Sequence, residues 1–310
     1  KFYKTFEKSI ILNNIKSKKF IVALSGGPDS LALTYLAKCY SILNNCDVKF
    51  VHIDHRLRSS SSSEANILKN LLKKFGIDCK ILVWKGKKPK SNIHHYARIH
   101  RYDLVLKNCK KMKIKKLLLG HHQDDLIENF FIRLFRGSGL KGLASFGAES
   151  GLKEGNIKII RPLINHEKSD LEYVSKKVFK FFINDPSNTD EKFTRSRIRN
   201  FLKAENFDLK KLKLTLKNLN KSDQAIEHYV KKNIDENCKY LIKKRKIILS
   251  ENFFQNSEEI VFRSLNYIFT KISKKNYPPR GKKMLDLVLR INSKNFKKTT
   301  LGGCLIEKIN

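Results

Sequence analysis

The sequence predicts an α/β protein with a doubly wound parallel sheet, followed by a smaller, mainly helical domain. Two observations predict the sheet. Short apolar runs alternate with helical patterns through the first half of the chain, and a loop of small residues joins the first run to the first helix. A third observation predicts the helical domain, because from about Asn206 the chain becomes Lys-rich with amphipathic helical spacing. We therefore place one domain at residues 1–208 and the other at residues 209–310.

The strands are predicted from apolar runs, as expected for a parallel sheet that is buried on both faces. Four runs fit this pattern, at Phe20–Leu24, Val48–Ile53, Cys79–Val83 and Lys116–Leu119. Helical patterns fall between and after them, at Ser30–Leu43, Glu64–Phe75, Ile93–Lys113 and Gln123–Phe135. Ligands of such folds bind at the carboxyl ends of the strands, so the polar residues there are the candidate site.

Beyond the fourth helix the pattern is less regular. Residues 136–160 contain six glycines and little periodicity, which predicts a loop. Helices resume near His166 and Arg195, and the Lys-rich helical region after them runs through Lys232. Three more segments follow, at Tyr240–Ser250, Val261–Ile272 and Met284–Ile291. A turn and a starting strand at residues 302–307 indicate a short terminal sheet or a shortened chain.

The chain is strongly basic. Lys and Arg total 65 against 29 Asp and Glu, which gives a formal net charge of +36 over 310 residues. A Lys-biased genome explains part of this excess but not the deficit of acidic residues, so we infer a polyanionic partner and favour nucleic acid over a membrane surface. No apolar stretch approaches the roughly 20 residues of a membrane span, and no signal peptide opens the sequence, so we expect a cytoplasmic protein without a membrane partner.

The six cysteines form no CxxC pair. Without a secretory signal they indicate reduced, mostly buried thiols rather than disulfides or a zinc or iron–sulfur site. A single redox-active thiol remains an alternative.

The first strand runs into a loop with the features of a phosphate site. Strand, small-residue loop and helix together present backbone N–H groups and the positive end of a helix to an anion. The glycines permit close approach, the proline fits the first helical turn, and the serines add hydroxyl donors. The aspartate repels phosphate unless a divalent cation lies between them. The loop matches neither the dinucleotide fingerprint nor the Walker A pattern, and an ordinary strand–helix turn is the alternative. Its residues are Ser25, Gly26, Gly27, Pro28, Asp29 and Ser30.

The loop resembles the PP-loop of the ATP pyrophosphatases, pattern SGGxDS, at all six positions. The resemblance implies that the loop holds the pyrophosphate end of ATP while the α-phosphate is attacked, and that an adenylated intermediate forms.

The second strand also ends in polar residues, in the run HIDHRLR at residues 52–58. We expect His52 or Asp54 to line an adenosine pocket and Arg58 to reach a phosphate. A capped surface loop is the alternative.

The fourth strand leads into GHHQDDLIEN at residues 120–129, where His121, Asp124, Asp125 and Glu128 cluster at the start of a helix. The helix dipole favours anions there, and Asp124 and Glu128 share a helical face. The carboxylates suit Mg²⁺ on ATP or the ammonium of an amino-acid substrate. Helix capping alone explains Asp124 but not the whole cluster, and the spacing is not that of a usual zinc site.

Two pairs of arginines are further candidates. Arg98 and Arg101 are neighbours on the third helix, where they point to an adenylate or are simply solvated. Arg133 and Arg136 precede a Gly-Ser-Gly loop, which suits a mobile phosphate-binding element or a flexible connector.

The resemblance to the PP-loop enzymes extends beyond the loop SGGPDS. With HIDHRLR, ARIHRY, GHHQDDLIEN, RGSGLKGL, RPL, DPSN and TRSRIR in that order, residues 15–205 resemble one subgroup, the tRNA(Ile)-lysidine synthases. Asn129 stands where that family is expected to have Thr, a polar substitution. The carboxy-terminal third resembles the family only loosely, and the short chain suggests a form that lacks a second carboxy-terminal subdomain.

The resemblance implies a ligase that replaces the carbonyl oxygen at carbon 2 of the wobble cytidine with the ε-amino group of lysine. ATP first adenylates that oxygen and releases pyrophosphate, and AMP then leaves as the amine attacks. The implied partners and cofactors are tRNA(Ile) with a CAU anticodon, free L-lysine, ATP and Mg²⁺, with a homodimer as one alternative for the oligomeric state. In the implied site the PP-loop holds the pyrophosphate end of ATP, Asp29 holds Mg²⁺ and Arg101 faces the adenylate. Lysine is recognised or deprotonated by Asp124, Asp125 and Glu128.

Other classes fit less well. A PP-loop tRNA thiolation enzyme would share the loop and the GHH-type motif but would normally need paired cysteines. A GMP or NAD synthetase would not need such a basic chain. A non-enzymatic RNA-binding protein would explain the charge but not the acidic and histidine residues at the strand ends.

Overall fold

The computed structural model describes residues 2–12, 19–86, 93–144, 149–152, 157–183, 194–205, 207–241, 246–273, 278–293 and 295–309. They form two compact units, Lys1–Leu214 and Thr215–Asn310.

The first unit is built on a six-stranded sheet in the order β3-β2-β1-β4-β6-β5. Five strands are parallel, and β5 pairs antiparallel with β6 at one edge. The fold class is therefore confirmed as α/β with a parallel sheet. The strand order reverses between β1 and β4, so their carboxyl ends form the topological switch point where such sheets bind ligands. The strands are β1 Lys19–Leu24, β2 Asp47–Asp54, β3 Cys79–Val83, β4 Lys116–Leu119, β5 Glu149–Leu152 and β6 Ile157–Ile160.

Helices cover both faces of this sheet. On one face Phe20 and Val22 pack with Leu31 of α2 and Leu68 of α3. Strand side chains alternate between faces, so Ile21 lies in the opposite core with residues of α4. The helices of the first unit are α1 Phe2–Leu12, α2 Pro28–Leu43, α3 Ser61–Lys74, α4 Ile93–Lys111, α5 Gln123–Leu134, α6 Leu140–Ala144, α7 Lys168–Phe179 and α8 Thr194–Ala204. The next helix, α9 Leu209–Asn237, begins in the first unit and continues into the second.

The predicted loop at residues 136–160 is wrong in part, because it contains α6, β5 and β6. Strand β6 has only four residues, Ile-Lys-Ile-Ile, and it is held by pairing with β4, as in Leu117 beside Ile159. A strand this short among glycines gives too little local signal, since its stability comes from partners distant in sequence.

The second unit combines helices with two antiparallel hairpins. Strand β7 Cys238–Leu241 pairs with β8 Lys246–Leu249, and β9 Lys298–Leu301 pairs with β10 Cys304–Glu307. A short 3-10 helix, Glu251–Gln255, and the helices α10 Glu258–Ser273 and α11 Gly281–Ile291 complete the unit. The segment Tyr240–Ser250, placed by sequence within a mainly helical region, thus contributes to a hairpin.

Phe253, Leu265 and Met284 lie in the core of the second unit. Beside this core the buried guanidinium of Arg263 contacts Asp223, Glu227 and Glu259 at 2.6–3.2 Å. A buried arginine requires such partners, so this network fixes α9 against α10. The last hairpin turns through Gly302 and Gly303, both with positive φ, as tight hairpin turns require.

Candidate active site

The PP-loop lies at the switch point, between β1 and the first turn of α2. The Oγ atom of Ser30 accepts the backbone N–H groups of Ser25 at 3.2 Å and Gly26 at 3.1 Å, and it donates to the Gly27 carbonyl at 2.9 Å. Pro28 opens the helix, and the N–H groups of its first turn have no acceptor within α2. The side chain of Ser30 therefore stabilises the loop, and the helix start has the geometry that is typical of an anion-binding site.

Gly26 is required by its backbone conformation, and a side chain there would also displace a neighbour. Its φ is +90°, a region that residues with a Cβ rarely adopt, and a Cβ there would lie 2.6 Å from Cδ1 of Ile183. The N–H of Ile183 also donates to the Gly26 carbonyl at 2.9 Å. Ile183, which follows α7, therefore packs directly against the PP-loop.

The second glycine of the site is Gly120, which follows β4. A Cβ at this position would lie 3.1 Å from the carbonyl oxygen of Asp29 and 3.1 Å from Cα of Ser30. Both contacts are with backbone, which cannot move aside easily. Gly120 therefore lets the end of β4 approach the PP-loop closely, and it brings the residues after it to the nucleotide loop.

His122 joins the two motifs. It caps α5, because its Nδ1 accepts the N–H of Asp124 at 3.3 Å and its own backbone N–H donates to the Asp125 carboxylate at 3.1 Å. Its Nε2 lies 3.6 Å from Oδ2 of Asp29 and 3.5 Å from Oδ2 of Asp125. Burial alone would lower the pKa of His122, but Asp124, Asp125 and Asp29 outweigh it and raise the pKa above the usual value.

The carboxylates around His122 differ in environment. Burial raises the pKa of Asp29. The hydrogen bond with His122 lowers the pKa of Asp124, whose side chain is 38% exposed. Burial alone would raise the pKa of Asp125, but His122, His121 and Arg195 lower it below its usual value. Asp124 is thus the anion of this group most accessible to a ligand.

Glu128 lies deeper than the other acids and is only 2% exposed. Its Oε1 accepts Nε of Arg199 at 2.8 Å, and Oε2 lies 3.8 Å from Nε of Arg195. Both arginines belong to α8, so Glu128 links that helix to α5. Its expected contact with lysine stays a prediction, as do the roles of the other predicted site residues.

His52 and Asp54 lie at the carboxyl end of β2, both buried. Nδ1 of His52 donates to the Leu24 carbonyl at 3.1 Å, which ties β2 to the end of β1 beside the PP-loop. Asp54 accepts the N–H of Arg56 at 2.9 Å and the hydroxyl of Ser62 at 2.7 Å, so its oxygens also stabilise the turn into α3. The guanidinium of Arg58, expected near a phosphate, pairs with Glu64 at 3.0 Å.

Positive side chains surround the cluster. Burial and the charge of Arg101 on α4 lower the pKa of His55 to about 4. Burial, with Arg161, Arg195 and Arg98 nearby, lowers the pKa of His121 to about 3. Both histidines are therefore neutral near pH 7, and the site has fixed positive charge that suits phosphate groups.

Sequence reasoning assigned no role to Arg161, Arg195 or Lys168. Arg161 follows β6, a strand that was not predicted, and it is 5% exposed. Lys168 opens α7 and acts on the pKa values of Asp29 and Asp124 through its charge. Arg161 and Arg195 belong to the motifs RPL and TRSRIR, so their presence near the site could have been predicted from the sequence. Only the fold shows that β6 and α8 bring them close to the acids.

The site fits a magnesium ion carried by a nucleotide. Oδ1 of Asp29 is buried and has no hydrogen-bond partner among the described residues, and carboxylate oxygen is the ligand type that Mg²⁺ prefers. Within the described ranges, no three His, Cys, Asp or Glu side chains form a metal-binding group. The ion would therefore be held by Asp29 together with phosphate oxygens, as is usual for Mg²⁺ at nucleotide sites.

Comparison with known proteins decides the family. The profile of the PP-loop domain matches residues 2–206. The tRNA(Ile)-lysidine synthase of Orientia tsutsugamushi is 33% identical over 308 residues, which cover 94% of this chain and 68% of that protein. The chain belongs to the tRNA(Ile)-lysidine synthase family. The member from Wolbachia pipientis wMel is 34% identical over 99% of this chain and 71% of its own length.

A solved structure supports the fold of this lysidine synthase family member. The U34-tRNA thiolase NcsA from Methanococcus maripaludis, described with its [4Fe-4S] cluster, superposes with a TM-score of 0.58 at 19% identity, covering 73% of this chain and 78% of that one. The PP-loop domain supports ATP as a substrate. None of the helices in the described ranges combines the length and apolar composition needed to cross a bilayer.

Proposed function

We propose that the protein ligates free L-lysine to carbon 2 of the wobble cytidine of tRNA(Ile) with a CAU anticodon, acting in the cytoplasm. Membership of the tRNA(Ile)-lysidine synthases supports this activity. The observation that carries the proposal is the contact of two motifs at the switch point, where His122 lies between Asp29 of the PP-loop and the acids of α5.

In the first step the oxygen on carbon 2 of cytidine attacks the α-phosphorus of ATP. A bond forms from that oxygen to phosphorus, and the bond to the bridging oxygen of pyrophosphate breaks. The PP-loop and the N-terminus of α2 bind the pyrophosphate end, and Arg101 faces the adenylate. Asp29 would hold Mg²⁺, which neutralises charge on the departing pyrophosphate.

In the second step the ε-amino nitrogen of lysine attacks carbon 2, and AMP leaves with the original oxygen. The ammonium must first lose one proton. Asp124 binds and orients it, because its carboxylate is ionised, partly exposed and close to the nucleotide loop. The low pKa of Asp124 makes it a weak base, so the proton passes on to solvent. Asp125 and Glu128 hold the arginines of α8 around this position.

Charge supports an RNA substrate. The chain has a formal net charge of +36, and the exposed lysines of α9 include Lys210, Lys217 and Lys221. A surface of this kind binds the phosphate backbone without reading sequence. We assign α9 and the second unit to tRNA binding and the first unit to the chemistry.

tRNA thiolation is the second candidate, because the thiolase NcsA shares the fold. The cysteines argue for ligation instead. Burial raises the pKa of Cys79 to about 12 and that of Cys109 to about 11, so both remain thiols near neutral pH. A PP-loop thiolation enzyme would normally need paired cysteines, and the six cysteines of this chain form no CxxC pair.

The deciding experiment incubates the protein with ATP, L-lysine and a tRNA(Ile) transcript with a CAU anticodon, followed by mass analysis of the nucleosides. We expect lysidine, with AMP and pyrophosphate formed in equal amounts. A transcript with uridine at the wobble position is the control and should remain unmodified. Sulfur incorporation from a sulfide donor, without lysidine, would support thiolation and contradict the proposal.

A further inference from the structure

The second unit contains a small cavity lined by positive side chains. It has a volume of about 250 Å³ and lies where α11 ends and β9 begins. This volume is slightly below the roughly 300–1,000 Å³ of pockets that bind drug-sized ligands, so the cavity suits a smaller chemical group. No carboxylate is among its described lining residues, which are Arg290, Ser293, Asn295, Phe296, Lys297 and Lys298.

The turn that forms the cavity is held by hydrogen bonds within the unit. Phe296 is only 9% exposed, and its backbone N–H donates to the Ser293 carbonyl at 3.2 Å. The hydroxyl of Ser293 donates to the Arg290 carbonyl at 2.8 Å, and the Lys297 carbonyl accepts the N–H of Lys308 at 2.9 Å. The cationic side chains therefore extend from a backbone that local contacts hold in place.

The three cations of the cavity have no acidic partner among the described residues. Arg290, Lys297 and Lys298 form no ion pair within that part of the chain. Glu307 lies opposite Lys298 in the register of the hairpin, but its carboxylate pairs with Lys246 at 3.9 Å. Positive charges that share one cavity repel each other, so an anion between them lowers the free energy. The three cations are therefore available to an anionic ligand.

A second cavity of the same unit has the opposite charge. Its volume is about 350 Å³, and it is lined by Glu258, Glu259, Phe262 and Leu285. Two carboxylates in the lining repel RNA phosphates, so the positive charge of this unit is not spread evenly over its surface. The concentration of three cations at one small cavity is thus a local feature, beyond the high net charge of the chain.

We propose that the cationic cavity binds a phosphate group of the tRNA substrate. The inference rests on the proposed function and names one place where the RNA is held. The guanidinium of Arg290 and the two ammonium groups match the oxygens of a phosphate, and the Asn295 amide adds a neutral donor. Phosphate contacts of this kind position a nucleic acid without reading its sequence. Internal backbone phosphates and the 5′-terminal phosphate share this chemistry.

The test neutralises single phosphates of tRNA(Ile) by ethylation and determines which of them are needed for binding. We expect one phosphate, or two adjacent ones, whose ethylation weakens binding to the wild type but not to the triple variant Arg290→Gln, Lys297→Gln, Lys298→Gln. This cavity variant should bind unmodified tRNA about 10- to 100-fold more weakly. Its thermal stability and its ATP binding should be unchanged, because the three side chains are exposed.

The dependence of tRNA affinity on salt gives a second measurement. Three cations at one phosphate release about one counterion, so the cavity variant should flatten the slope of log affinity against log salt concentration by about one unit. Three cations at three separate phosphates would change it by about three units. A change of about three units therefore contradicts a single phosphate site.

Removal of the 5′ phosphate from the tRNA distinguishes the two sources of the ligand. If the affinity for dephosphorylated tRNA no longer differs between wild type and cavity variant, the cavity binds the terminal phosphate. If the difference persists, the cavity binds an internal phosphate, which the ethylation pattern identifies.

The matched control replaces three exposed lysines of the same unit, on β7, α10 and α11, in the variant Lys239→Gln, Lys271→Gln, Lys282→Gln. It alters net charge equally, and it should keep the ethylation effect at the phosphate that depends on the cavity. The proposal is overturned if the cavity variant keeps the ethylation pattern and affinity of the wild type, or if both triple variants lose the same signals.

Lysidine formation by the wild type separates this proposal from the proposed function. If lysidine forms but no phosphate depends on the cavity, only the phosphate site is wrong. If no lysidine forms although one phosphate depends on the cavity, the proposed function fails and the phosphate site is supported.

Discussion

Nε2 of His122, in the turn before α5, lies 3.6 Å from Oδ2 of Asp29, in the first turn of α2. This contact joins the two helices that begin on either side of the switch point. It also links the pKa values of the two residues, since the Asp29 charge favours protonated His122 and a His122 cation favours ionised Asp29. The nucleotide loop and the acidic cluster therefore act as one electrostatic unit.

Substitution of Asp29 tests the first chemical step. Asp29→Asn keeps the shape of the side chain but removes the charge that would hold Mg²⁺. We expect pyrophosphate release with tRNA, measured without lysine, to fall at least about 100-fold, with little change in thermal stability. Asp47→Asn is the control, because Asp47 is the first residue of β2, at the end of the strand away from the site, and is paired only with Lys49 among the described residues. Normal release by Asp29→Asn would remove this residue from the ATP site.

The glycines of the loop give a prediction about backbone strain. Gly26→Ala forces a Cβ into the left-handed region and against Ile183, so we expect a loss of about 1–3 kcal/mol in unfolding free energy. ATP binding, measured by calorimetry, should weaken at least tenfold. Gly139→Ala, where a Cβ would meet no atom within 4 Å, should leave both quantities unchanged. Equal behaviour of the two variants would contradict the assigned role of the loop.

The acids of α5 lie in different environments, so we expect their substitutions to have different effects. Asp124→Asn should raise the lysine concentration needed for half-maximal product formation about 10- to 100-fold, because one charged hydrogen bond is removed. Pyrophosphate release without lysine should stay near normal. Glu128→Gln should instead lower thermal stability, since it weakens the link between α5 and Arg199. If Glu128→Gln alone changes the lysine requirement, the ammonium is bound by Glu128.

The strands next to the switch point are predicted well from sequence. Strands β3 and β4 were predicted with their observed bounds, and β1 and β2 to within a residue or two, because each is an apolar run flanked by helical patterns. The site residues could also be predicted, because they are polar residues that directly follow these apolar runs. Local patterns are sufficient there, since the parallel topology brings the strand ends together.

The rest depends on contacts between distant residues. The pairing of Glu128 with Arg199 joins positions 71 apart, and the stacking of Trp84 on His100 crosses a chain segment without a regular pattern. Neither contact could be predicted from the spacing of residues along the sequence. The motif DPSN at residues 185–188, part of the family resemblance, lies outside the described residues. Thus residue types were predictable here, whereas their partners were not.

The basic surface of α9 gives a prediction about salt. Replacing Lys210, Lys217 and Lys221 with Gln should weaken tRNA binding and flatten its dependence on salt concentration, by about one unit of slope for each phosphate that the variant no longer binds. ATP binding should not change. The control replaces three exposed lysines of α3, Lys69, Lys73 and Lys74, which alters net charge equally. If both triple variants change the slope by the same amount, α9 has no special role in binding RNA.

His55 gives a prediction about acid stability. Burial and Arg101 lower its pKa from 6.5 to about 4, and its Nδ1 has no hydrogen-bond partner among the described residues. As the pH falls, the unfolded chain therefore takes up a proton on His55 before the folded chain does. The contribution of neutral His55 to the free energy of unfolding is thus present above pH 6.5 and is lost as the pH falls towards 4. His55→Asn removes the titrating group. Between about pH 7 and about pH 4.5, we expect the free energy of unfolding to fall by about 1–2 kcal/mol more in the wild type than in the variant. This difference allows for solvent screening, because the side chain of His55 is partly exposed. Urea unfolding at the two pH values measures it. His100→Asn, on α4 nearby, is the comparison, and an identical pH dependence for wild type and His55→Asn would show that His55 is not held neutral by the fold.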